Sequence, residues 1–79
     1  MEHSERVNIV GARVKEARTR GKEPLTQDQL SGKLALLGVT IDRAGISKIE
    51  TWQRSVLDYE VKALAKALGV TVEWLLGGK

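Results

Sequence analysis

Apolar residues recur along this 79-residue chain at helical rather than strand spacing. Val10, Val14 and Ala17 fall at i, i+4 and i+7, and Leu30, Leu34 and Leu37 repeat that interval. Ile46 and Ile49 mark a third inward-facing stripe. Val61, Leu64, Ala65 and Leu68 form the cleanest run, at i, i+3, i+4 and i+7. At about 3.6 residues per turn, each set gathers on one helix face.

The residues between the stripes supply starts and stops. Asn8 is the cap predicted for a first helix, and Thr26, with Gln29 three residues later, for a second. Asp42, Asp58 and Thr71 are the predicted caps of a third helix, a fourth, and a last short turn over "VEWLL". Gly21, Gly38 and Gly69 are the expected stops, Gly77 and Gly78 are expected to release the last turn, and Pro24 blocks helical geometry at Glu23. "VTI" is too short for a strand with a partner and reads as the turn before the third helix. The expectation is an all-α fold of about five short helices. It has a flexible segment over 1–7, one domain over 8–76 and a tail over 77–79.

Composition narrows the chemistry. Hydrophobic residues make up 42% and aromatic residues only 4%, with no Phe, so aliphatic side chains must fill the core of a single small domain. The chain has no Cys, which removes disulfides and thiolate metal sites. Its one histidine, His3, lies in the polar start, so no metal site, cofactor or small-molecule ligand is evident. No carboxylate pair or glycine-rich phosphate loop suggests catalysis, and no enzyme activity is expected. "MEHSERVNIV" lacks an apolar leader and "LALLGV" is too short to span a bilayer, which gives a cytoplasmic expectation with no membrane partner.

The net charge of +3 is unevenly placed. Of 13 basic and 10 acidic residues, 10 and 7 fall at or before Arg54, and the remainder balance three against three. This basic excess is weak support for a nucleic-acid partner.

Four separated elements carry a resemblance: "RVKEAR" in the first helix, "LTQ" opening the second, "ISKIE" in the third and "ALGVTVEWLL" at the end. In this order they resemble the helix-turn-helix domains of the phage Cro/repressor type, also called the XRE type, over about residues 9–76. The resemblance implies a lambda-repressor-like fold and a sequence-specific regulator of transcription, a repressor, that binds double-stranded DNA as a homodimer. In such proteins the second helix of the pair enters the major groove while the first crosses the backbone.

Leu30, Leu34, Ile46 and Ile49 would then anchor the helix pair on the core. With Ile46 and Ile49 inward, Arg43, Ala44, Ser47 and Lys48 fall on the other face as candidate base contacts. Arg and Lys donate to guanine, Ser bonds either way, and the Ala methyl meets a thymine methyl. Solvated surface charge is the plain alternative for Arg43 and Lys48. The resemblance further implies DNA-backbone contacts from Thr26 and Gln27 at the start of the second helix and from Arg54 after the third. It also implies a structural ion pair between Arg18 and Glu50.

The chain departs from the family pattern in three places. The connection from Leu34 to Ile46 is longer than usual, which can shift the recognition register by a residue or two. Gly45 stands where the family usually has Ser or Thr. Trp52 replaces the Gly of an "ENG" turn and is read either as an exposed contact to a backbone or partner, or as folding back over the fourth helix. A dimer contact is expected from Val56, Leu57, Leu75 and Leu76. A protein-interaction module of the antitoxin or antirepressor type is the alternative function, with RNA binding a third reading. Apolar residues on the outer face of the third helix would favour the protein-interaction module.

Overall fold

In the computed structural model, residues 8–78 are described and form five helices: α1 (Gly11–Arg20), α2 (Gln27–Leu36), α3 (Arg43–Glu50), α4 (Asp58–Leu68) and α5 (Val72–Leu75). No strand occurs among the described residues.

Helix starts follow their capping chemistry. At α2 the Thr26 hydroxyl accepts from Gln29 N at 3.0 Å, and Gln29 Oε1 accepts from Thr26 N at 2.9 Å, a reciprocal capping box. Asp42 accepts from Gly45 N at 2.8 Å to open α3, and the Thr71 hydroxyl accepts from Trp74 N at 3.0 Å to open α5. Two expected caps are displaced. Asp58 is the first helical residue of α4, and Leu57 occupies the cap position, its N–H donating to Glu60 Oε1 at 2.9 Å. Asn8 stands before the formal cap, Val10. Its side-chain oxygen still accepts from Val10 N and Gly11 N, at 3.0 and 2.9 Å.

Four helices end in the same way. In each, two successive N–H groups turn back onto carbonyls of the last turn around a residue of positive φ. Gly38 closes α2, with Gly38 N donating to Ala35 O and Val39 N to Leu34 O; Gly69 closes α4 and Gly77 closes α5. At the end of α3 the left-handed position is held by Trp52, with φ of +62°. Gly21 does not stop α1 in this manner: its φ of −68° is open to any residue.

The stripes pack as one core. Leu30, Leu34, Ile46, Ile49, Leu64 and Leu75 are fully buried, with Val10 and Val14 beside them. The expected apolar position Leu37 lies past the end of α2 and is partly exposed; Val39 and Ile41 take the inward places. The "VTI" turn is thus part of the core, tied to α2 by the Ser31 hydroxyl, which donates to Ile41 O at 2.6 Å. α1 packs against α3, α4 and α5, while α2 packs against α3 and α4. Arg13 fastens α1 to α5: its guanidinium lies 4.5 Å from the Trp74 ring centre and donates to Trp74 O and Gly78 O. Gly78 N donates in turn to Glu73 O, so residues 77 and 78 are held against the domain. The expected flexible stretch over 1–7, and Lys79 of the expected tail, lie outside the described residues.

Two helical glycines predict opposite outcomes. A methyl group on Gly11 would collide with Ile49 O and stand 2.8 Å from the Trp52 ring, whereas one on Gly32 meets nothing within 4 Å. Gly11→Ala is expected to lower stability by about 1–3 kcal/mol through overpacking. Gly32→Ala is expected to raise it by about 0.5–1 kcal/mol, through helix propensity and a less flexible unfolded chain. Urea unfolding midpoints measure both; a stabilised Gly11→Ala protein would show that the Ile49 carbonyl and the indole both give way at little cost.

Candidate nucleic-acid interface

α3 is held from behind by three kinds of contact. Ile46 and Ile49 enter the core. Glu50, in the last position of the helix, receives Arg18 Nε at 2.7 Å on one carboxylate oxygen and Arg18 Nη2 at 3.0 Å on the other. The side chains are 12% and 4% exposed, so this two-pronged pair is largely sealed from water. Fork-to-fork geometry fixes orientation as well as distance. Arg18 Nη1 reaches Leu25 O at 2.9 Å, which draws the α1–α2 connection into the same network.

Asn8 supplies the third contact. It is buried, and its Nδ2 donates to Ile49 O at 2.8 Å and to Arg54 O at 3.2 Å. One amide therefore caps α1 with its oxygen and holds the end of α3 with its nitrogen. A cap signal was present in the sequence. The second role was not, because its partners lie more than forty residues away.

The opposite face of α3 is open. Arg43, Ala44 and Lys48 are exposed and Ser47 is half-buried, so the four residues expected to read bases share the solvent side. Neither Arg43 nor Lys48 forms an ion pair among the described residues. Gly45 has a packing reason: a side chain there would stand 2.9 Å from the Ile41 methyl and 3.2 Å from the capping Asp42 oxygen. Trp52 lies with its indole against Gly11 at the start of α1, and it remains about half exposed.

The residues expected to grip a DNA backbone are differently placed. The Thr26 hydroxyl is engaged as the α2 cap. Gln27 is half-buried and donates Nε2 to Glu50 Oε1 at 3.1 Å, so its amide braces the ion pair. Arg54 is held in an ion pair within the domain. Its two terminal nitrogens clasp Glu60 at 3.1 and 2.9 Å, and Nη1 also donates to Ser55 O. The hydrogen bond from Arg54 holds the Glu60 carboxyl below its ordinary range against the opposing effect of burial, and Glu60 in turn raises the Arg54 guanidinium.

A shallow hollow lies between the start of α2 and α3, lined by Arg18, Thr26, Gln27, Asp28 and Arg43. Arg18 is neutralised by Glu50, whereas Asp28 and Arg43 line the hollow without forming an ion pair with each other.

The expected dimer set is divided. Leu75 is fully buried, which withdraws it; Val56 is partly buried against the core, and Leu57 and Leu76 are about half exposed. No cluster of three metal-ligating side chains occurs among the described residues, and no described helix is long and apolar enough to cross a membrane. His3 lies outside the described residues. No family model matches the chain, and neither the curated proteins nor the solved structures contain a match to it.

Removing one partner of a sealed pair strands the other charge. Glu50→Ala is expected to cost about 3–5 kcal/mol in urea unfolding, and a loss below about 1 kcal/mol would deny the pair a structural role. Because the Glu60 carboxyl is depressed in the folded state, its contribution is present at neutral pH and is lost as pH falls through its folded midpoint. In Arg54→Gln that midpoint, followed by carboxyl NMR, is expected to rise. An unmoved midpoint would assign the shift to another group.

Proposed function

We propose that this chain is a sequence-specific double-stranded DNA-binding regulator of transcription, a cytoplasmic repressor that occludes a promoter with α3 in the major groove. One observation carries the reading. α3 is clamped from behind by Ile46, Ile49 and Glu50, while Arg43, Ala44, Ser47 and Lys48 share the outward side with both cations unpaired among the described residues. A rigid helix with guanine donors and a small methyl on one side suits base edges. The face is polar and cationic, which favours DNA over a protein-docking role for α3. RNA reading through stacked bases would need several aromatic side chains, and Trp52, which follows α3 and rests on Gly11, is a single candidate.

The occupied Gln27 and Arg54 side chains move the proposed backbone contacts elsewhere. The capping box takes the N–H groups of Thr26 and Gln29, and those of Gln27 and Asp28, which have no carbonyl within their own helix, are the donors proposed for a phosphate there. Eight residues make a helix about 12 Å long, enough for only a few base pairs. A homodimer on two half-sites about 34 Å apart supplies the rest. The described residues measure 36 × 25 × 19 Å, a size that fits two copies side by side on such a site. Leu57 and Leu76 are the exposed apolar residues proposed for the dimer contact.

Selection from a random duplex library at two salt concentrations tests the reading, and a shared enriched sequence is expected at both. On that sequence Arg43→Ala or Lys48→Ala is expected to lose about 1–3 kcal/mol of binding and to relax preference at one position. Absence of any enriched sequence, or unchanged affinity in both variants, overturns it.

A further inference from the structure

The most exposed large apolar side chain among the described residues lies at the end of α2. Leu36, in the last turn of α2, is 88% exposed, and Leu37 and Tyr59 are accessible nearby. Two shallow hollows sharing Leu37 and Lys66 run together between the end of α2 and α4. Ala63 and Ala67, four residues apart on one side of α4, line the floor. Leu36 and Leu37 form one wall, and Tyr59 stands at the far end. Small residues below and large ones at the edges make a groove that a helix can approach closely.

The charge around the groove is of one sign. Lys33, Lys62 and Lys66 line it, and no carboxylate does. None of the three is held in an ion pair among the described residues. A second copy related by two-fold symmetry would set lysines against lysines across this patch, which opposes self-association there. An apolar stripe flanked by carboxylates satisfies both the leucines and the ammonium groups.

We propose that the α2–α4 groove is a docking surface for an acidic amphipathic helix of another protein, held by leucine-type anchors against Ala63 and Ala67 and by carboxylates facing Lys33, Lys62 and Lys66. The groove is independent of the outward side of α3. Gln27, beside Arg43, and Leu36 stand at opposite ends of α2, about 14 Å apart along its axis, so a partner seated on Leu36 leaves α3 open.

The test uses a synthetic helical peptide with leucines at i, i+3, i+4 and i+7 and glutamates on its polar face, titrated into the isotope-labelled full chain and followed by NMR. The expected result is saturable shifts at Leu36, Leu37, Tyr59 and Ala63. A matched peptide with lysines in place of the glutamates is expected to bind at least about tenfold more weakly. Leu36→Ser and the double variant Lys33→Glu, Lys66→Glu alter exposed side chains and are expected to keep the wild-type helical spectrum. Each is expected to weaken the acidic peptide about tenfold. Equal binding of both peptides, shifts confined to other faces, or no shifts at all overturns the proposal. Concentration-dependent self-association abolished by Leu36→Ser assigns the groove to a second copy and overturns it as well. Duplex binding by the same variants is scored separately, so failure of the DNA reading and failure of this one are distinguishable.

Discussion

Glu50 is the joint on which the arrangement turns. Its carboxylate closes α3, receives both prongs of Arg18 from α1, and accepts a third donor from Gln27 at the start of α2. A nearly buried carboxylate is tolerable only when its charge and its lone pairs are answered, and here three donors answer them. Because those donors come from two other helices, satisfying one charge also sets the angle between three elements. The hydrophobic core supplies attraction without direction; the ion pair adds the direction.

The same economy appears at Asn8 and Trp52. Asn8 satisfies the start of α1 and the end of α3 with the two ends of one amide. Trp52 adopts a left-handed backbone that costs an ordinary residue about 1–2 kcal/mol, where the other three turns of this type use glycine. Its indole rests on Gly11, whose lack of a side chain makes the contact possible. Glycine on one side and a large ring on the other are complementary features of one seam, and the packing there offsets the backbone cost.

This bracing changes the weight of the proposed DNA contacts. A chain read only by motif would distribute phosphate grip among Thr26, Gln27 and Arg54. In the folded protein the Thr26 hydroxyl oxygen accepts the α2 cap bond, Gln27 gives one amide bond to Glu50, and both terminal nitrogens of Arg54 go to Glu60. The unanswered positive charge on this side is concentrated at Arg43 and Lys48. On the proposed reading, affinity and preference rest on the same few side chains. The apolar groove at the other end of α2 carries its lysines well away from that face.

Helix number, the α2 cap with its reciprocal Gln29, the α3 cap at Asp42 and the stops at Gly38 and Gly69 were legible in the chain, because each depends on residues within a few positions of one another. The inward stripes were legible for the same reason: periodicity is a local property of a helix. Which polar side chains remained available was decided only by tertiary structure. The engagement of Gln27 with Glu50 and of Arg54 with Glu60, and the second role of Asn8, follow from how helices meet. So do the burial of Leu75, the resting place of Trp52 on Gly11 and the exposure of Leu36. Local capping and spacing choose the elements; the requirement that every buried charge and amide find a partner chooses how those elements are used.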